Sequence, residues 1–413
     1  MTIKIYDTQP HQARFTASVL SAFKGPNKGE ICLVLDRTAF FAEGGGQACD
    51  TGEIGLSDGS GDPKGPVFPV TDVQEKEETV YHYMQIGDQD PDAVLALFGE
   101  GCRVIGQIDY EKRFDRMQQH SGEHIFSGLA HSLYGCTNVG FHLGDQVTTL
   151  DLDKELNQQQ IDLIEEKTNR VIYQDLPILV FYPSKEELAS KDYRSKKELT
   201  GRVRIVDIGQ NEQRVDRCAC CAPHTASTGE IGMVRILRWD RYKGGVRITI
   251  VCGMRALKAV RERMDMLRET ADLLTTNQDQ VSRSVAALKD QLKEEKEKVK
   301  DLSGRLIEAK AESLKKLGKD QKNLVLTEPV EMAQARKLVN ELMPGFEGLA
   351  AVLMPAGKDE YTFLIGSESA DMTAFMKEFK EVFSVRGGGK GKMVQGSVTG
   401  QEETLVNFLY NWR

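Results

Sequence analysis

The sequence predicts an α+β protein of several domains, and three observations predict it. Residues 1 to 100 alternate short apolar runs with Gly, Pro, Asp and Ser clusters. Residues 101 to 254 mix strand and helix periods. A long charged helix then leads into a last α/β segment, residues 321 to 413. At roughly 100 to 200 residues per domain, 413 residues make two to four domains, enough to bury real cores. Apolar residues at 40% and charged residues at 28% exclude a collagenous or wholly disordered chain.

In order, ICLVLD, GPVFPVTDV and TVYHYM read as strands of a small barrel or sandwich over 1–100. Between 101 and 254 come a strand (RVIGQID), a helix holding His120 to Leu133, a strand (VTTLDLD) and a helix from about Gln158 to Tyr173. The strands ILVFY, RVRIVDI, MVRILRW and VRITIVC follow, so helices should pack on one face of an antiparallel sheet. From 255 to 320 the chain reads as one long helix. There Val281, Val285, Leu288, Leu292, Val299, Leu302, Leu306 and Ala309 keep a 4,3 spacing that skips Glu295, a heptad seam suited to a homodimeric coiled coil or to a spacer folding back on its own chain. Residues 321–413 return to mixed character, with a helix from Met372 to Val382 and a Gly-rich basic run.

No run of 18 apolar residues exists and the N-terminus lacks a basic stretch followed by an apolar core, so the chain is expected in the cytoplasm, away from membranes. Eight cysteines are too sparse for a disulfide scaffold, yet Cys218, Cys220 and Cys221 crowd together like thiolate ligands. The net charge of −8 is concentrated: residues 51–100 carry −9 and the remainder +1, which leaves room for a local surface that meets a polyanion.

The sharpest signal is His120-Ser121-Gly122-Glu123-His124 on a helix, with Cys220 and His224 a hundred residues on. Side chains at i and i+4 share a helix face, so two imidazoles can share a metal, and a Cys–His pair at the same spacing can complete a tetrahedral zinc site. With seven His in the chain, the two pairs together arise by chance in about 2% of such sequences. Cys220 has the spacing to His224; Cys218 and Cys221 are alternates. Glu123 is either the base that takes a proton from water or a carboxylate that orients a ligand. HSGEH also fits the H-x-x-E-H pattern of inverted zinc peptidases, the leading rival.

HSGEH, VGFHLG from Val139, CACCAPHTASTGEIG from Cys218 and GGVRITIVCGMRAL from Gly244 together resemble the editing domain of alanyl-tRNA synthetases and the freestanding alanyl-tRNA editing proteins of the AlaX group. LDRTAFFAEGGGQACDTGEIG, residues 35–55, is similar to the Gly-Gly-Gln stretch of the β-barrel domain that precedes that editing domain, and VRGGGKGKMVQGS is similar to the C-terminal domain of the same synthetases. The resemblance covers essentially the whole chain and implies the long form of the freestanding editors, with an editing fold common to threonyl- and alanyl-tRNA synthetases. The resemblance starts at the editing half, so the chain is expected to be an editor rather than a synthetase, with a non-catalytic tRNA-binding protein with structural zinc as the third reading.

It implies a Zn2+-dependent deacylase that removes serine, glycine or both from mischarged tRNA(Ala), a task a synthetic site cannot avoid because it discriminates such small differences only about 100-fold. It further implies a zinc-binding editing domain at 101–254, with His120, His124, Cys220 and His224 on the metal and Glu123 acting in catalysis. Gly45, Gly46, Gln47, Gly140, Phe141 and His142 are expected to approach the substrate. Arg386, Gly387, Gly388, Gly389, Lys390 and Lys392 are expected to touch tRNA, in a C-terminal domain that serves tRNA binding or dimerisation.

Overall fold

The structure is a computed structural model, describing residues 1–59, 61–190, 193–195, 203–317 and 321–413. Arg202, which opens the expected RVRIVDI strand, and residues 318–320 at the end of the long-helix segment lie outside the described residues. The chain forms two compact units, residues 1–268 and 269–413.

The first unit begins with β1 (Ile3–Lys4), β2 (Arg14–Lys24), β3 (Glu30–Leu35), β4 (Arg37–Thr38), β5 (Gly52–Ser57), β6 (Pro63–Lys76), β7 (Thr79–Gln85), helix α1 (Pro91–Leu95) and β8 (Arg103–Ile108). Six of these strands close a barrel in the order β2-β3-β7-β6-β5-β8, which removes its edges. The alternating pattern of β7 shows why: Val80, His82 and Met84 are buried while Thr79, Tyr81 and Tyr83 are not. The barrel does not stop at residue 100. β8, assigned from sequence to the next domain, closes it by pairing with both β2 and β5.

There follow α2 (Tyr110–Tyr134), β9 (Asn138–Leu143), β10 (Thr148–Leu152), α3 (Gln158–Tyr173), β11 (Ile178–Phe181), α4 (Lys185–Ser190), β12 (Ile205–Ile208), β13 (Asp216–Ala219), β14 (Val234–Tyr242), β15 (Gly245–Cys252) and α5 (Gly253–Leu273). The strands make two antiparallel sheets rather than one, ordered β14-β15-β10-β9 and β11-β12-β13. Ile125, Phe126 and Ala130 of α2, Ile161 and Ile164 of α3, and Leu150, Ile248 and Ile250 of the larger sheet share one core. The buried Arg113–Asp50 ion pair ties α2 to the barrel, with Arg113 also donating to Ala39 O.

The helix expected over 255–320 is interrupted. α5 ends at Leu273, Thr275 takes φ 51°, and α6 (Val281–Leu317) starts afresh. The second unit continues with β16 (Leu324–Thr327), α7 (Met332–Leu342), β17 (Ala350–Gly357), β18 (Glu360–Gly366), α8 (Met372–Val382), β19 (Ser384–Gly388), β20 (Met393–Thr399) and α9 (Glu402–Asn411). Its sheet runs β16-β17-β18-β20-β19, and β17 is buried on both faces: Ala350, Val352 and Met354 meet α7 and the end of α6, while Ala351 and Leu353 meet α8 and α9. No helix among the described residues is long and apolar enough to cross a membrane.

Candidate metal centre

Helix α2 sets half of the centre. Asp109 caps it, its carboxylate accepting from Lys112 N, and Gly135 ends it at φ 64°. The helix lies deep enough to bury His120, Glu123 and His124 almost completely. Gly122 permits that depth: a Cβ there would stand 2.5 Å from Cys252 Sγ on β15. The segment leaving β13 brings the other half, Cys220 and His224. The ligating atoms of His120, His124, Cys220 and His224 all lie within 4.8 Å of one another. His120 Nε2 and His224 Nε2 each lie 3.5 Å from Cys220 Sγ. Zinc bonds of about 2.0 Å to nitrogen and 2.3 Å to sulfur at tetrahedral angles give an N···S edge of about 3.5 Å.

Each imidazole is held through its other nitrogen. His120 Nδ1 meets Gln47 Oε1 at 3.0 Å, His224 Nδ1 meets Ser121 Oγ at 3.0 Å, and His124 Nδ1 meets Asp216 Oδ2 at 3.2 Å. An Nδ1–H donated to an acceptor fixes the tautomer in which Nε2 carries the free lone pair, the usual arrangement around a metal-binding histidine. Two of these partners, Ser121 and Asp216, are held in turn. Thr225 N donates to Ser121 Oγ at 3.1 Å, and Arg194 donates to both oxygens of Asp216, at 2.7 and 2.8 Å. The donor set and its supports therefore fit zinc.

Electrostatics separate the three cysteines. Burial alone would raise the Cys220 thiol, but His120, His124 and His224 around it hold it well below its ordinary value, as a thiolate. Burial and Asp216 push Cys218 up to about 12, and burial also raises Cys221, which stands apart at the surface. Cys220 is thus the thiol grouped with three histidines, while Cys218 groups with His124 and Asp216. Burial lowers His124, but Asp216 and the Cys220 thiolate more than offset it and push it up to about 9; His224, lacking an acid, is lowered by burial to about 3.

Glu123 is turned to its own supports. Its Oε1 accepts from Ser127 Oγ and from Asn138 Nδ2, and Asn138 Oδ1 accepts from Gly140 N at 3.1 Å.

The Gly-Gly-Gln segment reaches the centre. Gly45 and Gly46, at φ 61° and 83°, form the two central residues of a tight turn closed by Gly44–Gln47 hydrogen bonds of 3.0 and 3.1 Å. Only glycine suits both positions, for Cβ atoms there would lie 3.0 Å from Cys221 Sγ and from Phe141 Cδ1. The turn delivers Gln47, which is buried against His120. Phe141 also packs on His120, ring centroids 4.9 Å apart.

His142 is not brought to the site. Successive residues of a strand face opposite sides, and β9 sends Phe141 to the α2 side and His142, paired with Thr149, to the exposed side. Gly140 shares that far face, where a Cβ would stand 2.7 Å from Asp151 Oδ2. Sequence reasoning missed Ser121, Asp216 and Arg194 as supports, and two unsatisfied groups: among the described residues Gln47 Nε2 and Thr225 Oγ1 are buried without a hydrogen-bond partner. The serine lay within the quoted motif. Nothing local marked Asp216, which is positioned by the pairing of β12 with β13.

In the second unit, Arg386, Gly387 and Gly388 lie on the edge strand β19, and Gly389, Lys390 and Lys392 fall in the turn to β20. All are exposed, and Lys392 pairs with Glu368.

Comparison with known proteins agrees with this layout. The family model described as the threonyl and alanyl tRNA synthetase second additional domain matches residues 203–249, the stretch carrying Cys220 and His224. The class II (A) tRNA synthetase model matches residues 6–112, the barrel. An alanine–tRNA ligase of Methanopyrus kandleri is 29% identical over 95% of this chain, and that of Pyrobaculum arsenaticum 28% identical over 99%. The chain spans only 42% and 44% of their lengths. The alanyl-tRNA editing protein AlaX-L of Pyrococcus horikoshii is 26% identical over 98% of this chain and 97% of its own length. Over nearly the full length of both chains, therefore, the protein is similar to an alanyl-tRNA editing protein.

Proposed function

We propose that the chain is a trans-editing hydrolase that deacylates mischarged tRNA(Ala), removing serine, glycine or both, in the cytoplasm. The observation that carries this reading is the convergence of three oriented imidazoles and the Cys220 thiolate beside buried, unsatisfied Gln47 Nε2 and Thr225 Oγ1. Buried polar groups are rarely left unpaired, and an ester carbonyl or a water bound at the centre would satisfy them. The full-length likeness to AlaX-L supports the substrate.

Zinc held by His120, His124, Cys220 and His224 would supply Lewis-acid chemistry to the ester. The chain's own groups do the rest. Gln47 holds His120 with its oxygen and offers Nε2–H to the substrate. Thr225 offers a hydroxyl able to donate or accept, and Phe141 bounds the site with an apolar ring that excludes water. For Glu123 two roles remain in play, base or support. The pair of donors on its Oε1 favours support and weighs against the peptidase reading, which needs that carboxylate turned to water. The barrel would present the Gly-Gly-Gln turn, the 101–254 region would bind zinc and cleave, and the second unit would bind tRNA through Arg386–Lys392 or pair two copies.

The test is hydrolysis of serine, glycine and alanine esters of tRNA(Ala) side by side, with zinc measured on the same protein. Serine or glycine should be released far faster than alanine; equal rates, or none with zinc present, would refute the editor. A Glu123→Gln variant that keeps zinc but loses about 100-fold or more in rate assigns the base role, whereas a loss under about threefold assigns the support role.

A further inference from the structure

The strongest surface feature outside the metal centre is the hairpin of β14 and β15. Residues 235–247 hold Arg235, Arg238, Arg241, Lys243 and Arg247 against the lone acid Asp240, in a chain whose net charge is −8. Arg238 and Arg241 are 72% and 80% exposed. Their acidic neighbours are weak competitors: Arg241 meets Glu155 only at 3.9 Å, and the Arg238–Asp240 pair is open to solvent at both ends. Arg247 differs. Two hydrogen bonds to Asp151, of 2.6 and 2.7 Å, hold its guanidinium 3.8 Å from the centre of the Tyr242 ring, a rigid flat platform. Arg235 is held by Glu165 at 3.0 Å.

The tip adds a second sign. Lys243 occupies φ 49° in a two-residue turn with Gly244, a position that Asn, Asp or Gly fills at less cost. Lys243 lays its Nζ 5.1 Å from the centre of the Tyr242 ring, so the turn adds a second cation beside the platform. β15 links this tip to Cys252, which packs on Gly122 between the two metal-binding histidines of α2. Seven strand steps separate Gly245 from Cys252, about 23 Å. A single nucleotide cannot touch both places, whereas a polynucleotide can.

We propose that the β14–β15 hairpin is an RNA-binding surface: Arg238, Arg241 and Lys243 contact phosphates, and the Tyr242–Arg247 platform receives a base or ribose. Phosphate oxygens would replace the exposed carboxylates around these arginines, and stacking on an aromatic or guanidinium plane suits RNA of any sequence. The proposal rests on the reading of the substrate as tRNA and assigns it a contact independent of the Gly-rich turn of the second unit.

The experiment uses the full chain and an Arg238→Ala/Arg241→Ala/Lys243→Ala variant, exposed positions remote from the metal ligands. Binding of uncharged tRNA(Ala) is measured from 50 to 200 mM salt, alongside zinc content and hydrolysis of a seryl ester of adenosine alone. The variant should bind tRNA at least tenfold more weakly near 100 mM salt, with a log–log salt slope shallower by about 2 to 3 for three lost phosphate contacts. Zinc and adenosine-ester hydrolysis should not change. Equal affinity and slope overturn the RNA surface even if the wild-type chain deacylates tRNA. Loss of binding in the variant, with no deacylation by the wild type, upholds the surface and removes the editing reading instead.

Discussion

At the residue scale, the centre is a chain of orientations. Arg194 holds Asp216, Asp216 holds His124, and Gln47 and Ser121 hold the other two rings. An Asp216→Asn variant keeps the shape but loses the charge, and zinc affinity should fall about 10 to 100-fold, measured by competition with a chelator. A Cys218→Ser variant should keep full affinity and a Cys220→Ser variant should lose it; the reverse ranking would move the thiol ligand from Cys220 to Cys218. His82 offers a separate residue-scale test inside the barrel. It is fully buried between Thr38 Oγ1 and Leu33 O, and burial lowers it to about 4. Above its unfolded value of about 6.5 neither state is charged. As pH falls below that, the unfolded chain takes up a proton that the folded chain refuses, so stability drops until about pH 4. Between pH 7 and 5 the loss is about 2 kcal/mol, and denaturant melts of a His82→Gln variant should lack that part of the pH dependence. Unchanged dependence would mean His82 protonates without unfolding. The grouping of His120, His124, Cys220 and His224 was legible because i,i+4 spacing is local. Asp216 and Arg194 were not, since they meet the centre only through tertiary packing, and the phase of β9, which puts Phe141 and His142 on opposite faces, could not be read from VGFHLG alone.

At the element scale, the seam of α6 is open. Val285, Leu288, Leu292, Val299, Leu302 and Leu306 are 40 to 69% exposed, whereas Ile307 and Ala311 pack beneath α7. The residues that the chain itself buries thus lie off the heptad series, whose members Leu306 and Ala309 stay exposed beside them. Single exposed apolar residues are ordinary, but six at heptad spacing make a stripe that a second copy can cover. A Leu288→Glu/Leu292→Glu pair should turn a dimer into a monomer in sedimentation, with the fold intact by circular dichroism. A wild-type chain that sediments as a monomer at all concentrations would leave the homodimer reading without support. The interruption between α5 and α6 escaped sequence reasoning because no proline or glycine marks it; Thr275-Thr276-Asn277 carries only weak helix formers, with the Asn beside the new start. β8 was assigned past the barrel for a related reason. Its alternation names a strand but not the partners β2 and β5 that close the ring.

At the scale of the whole molecule, the compact units and the sequence segments disagree over where the chain can be cut. A cut at Gly253 follows the change in composition, but it removes Ala256 and Ala259, which pack with Val251 and beside Val147, Met233 and Leu237. It also removes Arg255, whose guanidinium holds Asp115 on α2 and donates to Gly144 O at 2.8 Å. Asp115 stands near Gln119, which donates to Cys252 O at 3.0 Å, so the loss would be felt along the helix that carries His120. A fragment ending at Arg268 keeps these contacts and should fold, bind one zinc and cleave the ester. A fragment ending at Gly253 should melt several degrees lower and hold zinc less well. If the second unit binds tRNA, the 1–268 fragment will bind it more weakly and with a shallower salt slope than the full chain, by about 0.9 for each phosphate contact removed. If the second unit only pairs two copies, the fragment will be monomeric, and its slope per chain will match that of the full protein.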